Sequence, residues 1–394
     1  MGSQEIKEGY KLTEVGVIPE DWEVTSLNNV IQLINGFAFK SEFFSENGPI
    51  VLTPGNFSLN GGLYFTDKNT KRFSGSFPSF ARFDYGDLVI VMTDLTTECN
   101  LLGKPAFINI KEPILHNQRI GKVKTLMSNI SKPFLYYFFL SSYYHLKVKQ
   151  SATGSTVRHT YPKHIYSIKI PCPPLHEQEK IAQVLSDFDS AIAHLDKLIS
   201  KKRNVKQGTM QQLLTGKKRL PGFSGEWEVK KQKEIVKYIN GRAFKKSEWK
   251  NYGIPVVRLQ NLTGSGNEYY FSNLELPESQ YIYNGDLIFM WSASFGPYIW
   301  KGNKAIYHYH IWKIESNIHC VDKTFYFYKL LELTNFLKNQ SNGSTMLHIT
   351  KSMMEEYSLT IPNSIKEQKA IAQILIDMDA EIEALEKKRN KYQA

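Results

Sequence analysis

Cysteine is scarce in this chain, with 3 among 394 residues, at Cys99, Cys172 and Cys320. They stand far apart, are odd in number and lack metal-ligand spacing. That pattern argues against a disulfide framework or a structural zinc site and fits a reducing cytoplasm. Long apolar runs are missing too. The longest, Phe134 to Leu140, is far too short to cross a bilayer. The first residues carry no apolar signal core, and Ile6 spoils a myristoylation match, so a cytoplasmic protein without membrane attachment is expected. Catalytic motifs are also absent. There is no Gly-x-x-x-x-Gly-Lys-Ser/Thr phosphate loop and no Gly-x-Ser-x-Gly nucleophile elbow. Pro171-Cys172-Pro173-Pro174-Leu175 lacks the polar and aromatic ends of an amino-methyltransferase motif and reads as a helix lead-in. His308 and His310 are too few ligands for a closed zinc site; base contact or packing beside Tyr307 and Tyr309 is the simpler reading. Asp187-x-Asp189 and Asp377-x-Asp379 are spaced by two, off any common helix face, so they read as solvated flank. No metal site, no directly bound cofactor and no catalytic residue is expected.

Acidic residues are outnumbered. Lys plus Arg is 49 against 38 Asp plus Glu, a formal net charge of +11. Such a surplus points to a polyanionic partner, most often nucleic acid. Apolar residues at 42% and aromatics at 13% suffice for large cores. At about 150 residues per domain the length suggests two or three domains.

The chain is an internal duplication. Asp21-Trp22-Glu23-Val24 recurs as Glu226-Trp227-Glu228-Val229, and Ile34-Asn35-Gly36-Phe37-Ala38-Phe39-Lys40 as Ile239-Asn240-Gly241-Arg242-Ala243-Phe244-Lys245. Gly86-Asp87-Leu88 returns as Gly285-Asp286-Leu287, and Gly154-Ser155-Thr156 as Gly343-Ser344-Thr345. Glu177-Gln178 and Ile181-Ala182-Gln183 return as Glu367-Gln368 and Ile371-Ala372-Gln373. The landmarks keep their order while their offset drifts, as expected of one unit copied and then altered in its loops.

Each copy has a globular part and a helical part. Ile50 to Leu52, Asp87 to Val91 and Ile165 to Ile170 read as strands, and Lys132 to Lys149 as a buried helix. In the second copy the strands fall at Ile254 to Leu259 and Asp286 to Met290, and the helix at Lys323 to Lys338. Apolar residues then recur at Ile181, Leu185, Phe188, Ile192, Leu195 and Ile199, with spacings of 4 and 3. Ile371, Leu375, Met378, Ile382 and Leu385 repeat that register. This is a coiled-coil seam. The expected fold is mixed α+β: two globular domains joined by two long helices pairing as an antiparallel coiled coil with pseudo-two-fold symmetry. The expected divisions are an N-terminal segment at 1–19, a globular domain at 20–173, a helix at 174–216, a linker at 217–224, a second domain at 225–364 and a shortened second helix at 365–394. The segment Ser3 to Val17 is expected to pack beside that shortened helix end.

Basic and amide residues stand among aromatics in both globular parts. Candidates for DNA contact in the first copy are Lys40, Asn56, Lys68, Lys71, Arg72, Arg82, Asn117, Gln118, Arg119, Ser155, Thr156 and Arg158. In the second they are Arg242, Lys245, Lys246, Arg258, Gln260, Asn261, His308, Ser344 and Thr345. Arg pairs with guanine and Asn or Gln with adenine through two-pronged hydrogen bonds, while Lys and hydroxyls serve phosphates. The stretch with Lys201, Lys202, Arg203, Lys206, Lys217, Lys218 and Arg219 either neutralises phosphates or is a solvated face.

Several runs together resemble the DNA-specificity subunits of type I restriction–modification systems. They are Gly16 to Val24, the two Asn-Gly-x-Ala-Phe-Lys stretches, Gly-Asp-Leu, Glu-Gln-x-x-Ile-Ala, and Lys206-Gln207-Gly208-x-Met210-Gln211-Gln212-Leu213-Leu214-Thr215-Gly216. The resemblance covers nearly the whole chain, twice. It implies two target-recognition domains, each reading one half of a split, asymmetric sequence in double-stranded DNA. It implies paired helices that set the unread spacer and dock two methyltransferase subunits, which methylate adenine N6 with S-adenosylmethionine. Two motor-nuclease subunits, using ATP and Mg, would join through them. The chain itself would have no active site.

Overall fold

The computed structural model describes residues 6–292, 294–340 and 350–393. Its chain forms two compact units, Met1–Ala191 and Ile192–Ala394. The division falls inside the first long helix, Leu175–Leu213, so each unit holds part of it.

The first unit is built on a four-stranded antiparallel sheet in the order 31–35, 120–125, 88–91 and 105–107. Leu88–Val91 is buried on both faces, which is why it reads as a continuous apolar run. A second sheet pairs Ile114–His116 parallel to the end of Phe44–Leu52. The expected single helix at Lys132 to Lys149 is two helices, Lys132–Leu140 and Ser142–Gln150. Ser141 makes the break: its hydroxyl accepts from the Tyr144 N–H and caps the second helix. The expected strand at Ile165 to Ile170 is also corrected. Pro162 opens a short helix, Pro162–Tyr166, and the strand follows at Lys169–Cys172, paired with Glu23–Ser26. Pro173 and Pro174 then lead into the long helix.

The second unit repeats this plan. Its main sheet runs 236–240, 311–316, 287–292 and 294–299, and a second sheet pairs Ile254–Val257 parallel to Ala305–Tyr307. The strand expected to reach Leu259 stops at Val257, because Leu259–Thr263 turns into a short helix. Lys323–Gln340 is one helix, with both its Thr324 and Phe325 N–H groups capped by Asp322. Trp227–Lys231 pairs with Ser358–Pro362 before the second long helix, Ile365–Gln393.

Two landmarks of the repeat are joints between helix and globular part. The Trp22 indole donates to Glu177 at 3.0 Å, and the Trp227 indole to Glu367 at 3.3 Å. Gln178 is buried, accepts from the Ser131 N–H and donates to the Asn129 and Pro173 carbonyls. Gln368 does the same with the Asp322 N–H and the Cys320 and Pro362 carbonyls. One aspartate of each pair read as solvated flank is a joint as well: Tyr137 donates to Asp189 at 2.9 Å and Tyr328 to Asp379 at 2.7 Å, while Asp187 and Asp377 are exposed.

Within the second unit the two long helices run antiparallel. Lys206 pairs with Asp379, Arg203 with Glu386, and Asp196 with Arg389 at 3.1 Å, so rising numbers on one helix meet falling numbers on the other. Leu195, Ile199, Ile371, Leu375 and Ile382 are buried there. The seam is not purely helix against helix. Ile181 packs into the first unit's core, and Ile371, Leu375 and Met378 into the second's. Leu185 and Phe188 are 39% and 43% exposed; Ile192 and Leu385 are half-buried. At the N-terminal end, Tyr10–Thr13 and Gly16–Pro19 form a hairpin, and Glu14 reaches Lys169 of the same unit at 3.2 Å. Residues 3–5 of the segment expected beside the second helix lie outside the described residues.

Candidate nucleic-acid interface

The same backbone turn is built in both units. In the first, the Phe37 N–H donates to the His116 carbonyl and the Gln118 N–H donates back to Phe37. In the second, Arg242 and Tyr309 make those two bonds with Tyr307 and Arg242. Ile120 N–H then closes on Asn117, and Ile311 N–H on His308. The approach is so close that a Cβ on Gly36 would collide with the Asn117 carbonyl, and one on Gly241 with the His308 carbonyl. This accounts for the repeated glycine of the Asn-Gly pair.

A second pair of supports lies beside it. The Asn56 side chain accepts from the Thr53 N–H at 2.9 Å, and the Asn261 side chain from the Arg258 N–H at 2.9 Å. Each asparagine then donates to its own loop, Asn56 to Asn69 and Asn261 to Glu268. The repeated Gly-Asp-Leu is a third. Asp87 binds Lys122 at 2.6 Å, and Asp286 binds Lys313 at 3.1 Å.

On this common frame the outward residues differ. Asn117-Gln118-Arg119 occupy the backbone positions of His308-Tyr309-His310, and Thr53 that of Arg258. Phe37 stands where the second unit has Arg242. Exposed Phe80 flanks Phe37 at 6.5 Å, and Arg82 lies over Phe77. In the second unit Trp249 packs on Phe244 at 4.9 Å and on Tyr270 at 4.8 Å. The Arg258 guanidinium lies over both Trp249 and Tyr270, at 5.9 and 5.2 Å from the ring centres. The His308 and His310 rings are 5.4 Å apart. Burial, then His310 and Arg258, push the His308 imidazole down to about 4, so it is neutral at pH 7. His310 is also lowered, by burial and by Arg258.

Several candidates from the sequence hold other posts. Asn56 is fully buried and spends its side chain on the loop, so it is no outward reader. Asn261 likewise braces its own loop. Arg72 is paired with Glu112 and the Gly48 carbonyl, Arg242 with Glu248, and Arg158 with the Gly154 carbonyl. Lys40, Lys68, Lys71, Gln118, Arg119, Ser155, Thr156, Lys245 and Lys246 are exposed, and Gln260 is half-buried. Ser344 and Thr345 lie outside the described residues. In the basic stretch, Lys202, Arg203, Lys206 and Arg219 pair with Glu381, Glu386, Asp379 and Glu367, an outcome neither expected alternative named. Lys201, Lys217 and Lys218 remain exposed. Sequence reasoning missed Trp249 and Tyr270, which set the Arg258 guanidinium; their signal, aromatics flanking an arginine, is too common to stand out.

Among the described residues no group of three or more His, Cys, Asp or Glu side chains is placed to hold a metal ion. No described helix is long and apolar enough to cross a membrane.

Residues 19–202 and 224–392 match the family described as the type I restriction modification DNA specificity domain. The chain is 26% identical to the type I restriction enzyme MjaVIII specificity subunit of Methanocaldococcus jannaschii, over 95% of this chain and 90% of that protein. It is 24% identical to the EcoKI specificity subunit of Escherichia coli K12, over 70% of this chain and 62% of that protein. The crystal structure of a type I restriction–modification S subunit from M. genitalium has the same fold, with a TM-score of 0.56 at 16% identity, over 95% of this chain and 93% of that one.

Proposed function

The chain belongs to the type I restriction–modification DNA-specificity family, and from that premise we propose that each of its units reads one half of a split, asymmetric site in double-stranded DNA. The long helices set the unread spacer and dock two methyltransferase subunits, and two motor-nuclease subunits join through these. Methyl transfer to adenine N6 then takes place on the partner, which holds S-adenosylmethionine. ATP and Mg belong to the motor-nuclease. This chain recognises and assembles, and has no active site of its own.

One observation supports this reading above the others. The frame residues are kept between the copies, while the outward residues at the same backbone positions are changed. A protein that reads two different half-sites needs one scaffold used twice with two different faces. Base edges in the major groove are distinguished by such side chains, while a common frame fixes register.

The test is modification-sensitive single-molecule sequencing of genomic DNA from cells with and without this gene, the partner methyltransferase being kept. Loss of N6-methyladenine at one split motif is expected. An unchanged methylome with the gene expressed would overturn the reading, and tight sequence-specific binding by the chain alone would favour a stand-alone regulator.

A further inference from the structure

The recess beside the His308–His310 turn has a volume of about 530 Å³ and is lined by Arg258, Gln260, Thr263, Ser265 and Ser294 together with that turn. Among the described residues no carboxylate lines it. This sets Arg258 apart from the arginines at Arg72, Arg219 and Arg242, each of which is neutralised by a glutamate. Among the described residues Arg258 has no carboxylate partner, and its guanidinium is laid over the faces of Trp249 and Tyr270. Stacking of this kind restricts a long side chain to few rotamers while leaving its N–H edge free for hydrogen bonds.

We propose that this recess takes the major-groove edge of a guanine in the second half-site, with Arg258 donating to its O6 and N7. The inference rests on the functional reading above and sharpens it. Guanine alone presents two adjacent acceptors there, which match the guanidinium fork. Adenine puts an amino group in place of one of them. The two histidines line the recess beside Arg258. Held neutral, His308 offers one donor and one acceptor and adds no charge that would draw the site to a phosphate instead. The first unit has Thr53 at the position of Arg258, and its hydroxyl is hydrogen-bonded to Asn56 at 2.9 Å. Its turn carries Asn117 and Arg119 in place of the histidines. The first unit therefore has no arginine at this position of the frame.

The experiment compares methylomes of cells carrying the unaltered gene, Arg258→Gln and Arg258→Lys, each with the partner methyltransferase. The unaltered gene is expected to yield a split motif with a fixed guanine in one half. Both variants should let other bases into that one position, lowering discrimination there by roughly 5- to 150-fold, while the other half keeps its bases. Lysine keeps the charge and loses the fork, so it separates base reading from phosphate contact even if the glutamine variant does not accumulate. An unchanged motif in Arg258→Gln overturns the guanine assignment, as does a uniform drop in methylation at every site in Arg258→Lys. Absence of any split motif with the unaltered gene overturns the functional reading itself, before the variants are compared.

Discussion

At the scale of single residues, Gly241 carries a sharp prediction. Its Cα lies against the His308 carbonyl, so Gly241→Ala forces the turn that presents His308, Tyr309 and His310 to move. Overpacking of this kind costs about 1–3 kcal/mol. The expected outcome is relaxed reading in one half of the motif, with the other half intact, as seen by methylome sequencing. Gly36→Ala should do the converse. If both variants disturb the same half, the turns are not the reading faces. The glycines were legible as a repeat, but their reason was not. A sequence gives no sign that a carbonyl 67 residues later will close on the same spot. The asparagines mislead for a similar cause. Asn56 and Asn261 look like base readers in the sequence, yet each is consumed in bracing its loop.

The histidines bring a pH dependence at the same scale. His116 is fully buried, with Nε2 donating to the Ile120 carbonyl at 2.8 Å. Burial lowers its proton affinity, and burial also pushes His308 down to about 4. In the unfolded chain both titrate near 6.5. Below that value the unfolded state therefore binds protons that the folded state refuses, and stability falls with pH. For His308 the loss runs from about 6.5 down to about 4. Melting temperature should be level above pH 7 and decline between pH 6.5 and 5. His116→Gln keeps a donor for Ile120 and cannot titrate, so its decline should be shallower; an equal slope would remove His116 from the account.

At the scale of elements, the joints decide whether each long helix is rigidly attached to its unit. Gln178 and Gln368 each satisfy one N–H and two carbonyls from two separate segments. Gln178→Ala strands those buried groups at about 1–3 kcal/mol apiece. Hydrogen exchange should speed up at Asn129 to Phe134 and at the start of the helix, while the second unit stays protected. Uniform exchange across the chain would mean that the joint is not local. The element types were largely legible. Heptad spacing marked both helices, and the continuous apolar run marked Leu88–Val91. The break at Ser141 was not, since a serine is tolerated inside a helix and becomes a cap only where the chain turns. The role of the basic stretch stayed open in the sequence for want of its partner. Lys202, Arg203 and Lys206 are matched by two glutamates and an aspartate on a helix that lies far away in the sequence.

At the scale of the whole molecule, the duplication was the most legible feature, because it needs only comparison of the chain with itself. What it leaves open is how length is set. In the second unit the rows of ion pairs fix the register between the helices: Asp196 with Arg389, Lys206 with Asp379. Lengthening one helix alone would slide those rows out of register. Matched insertions of one heptad in both helices keep the seam in phase. Seven residues at about 1.5 Å each add roughly 10 Å, or about three base pairs at about 3.4 Å. If the helices are the ruler of the proposed function, the matched variant should methylate a motif with the same two halves and a spacer about three base pairs longer. A motif with its original spacer would refute the ruler, even if both halves were still read. An insertion in one helix only should lower the melting temperature through the broken pairs without giving any new spacer, which separates the register effect from the length effect.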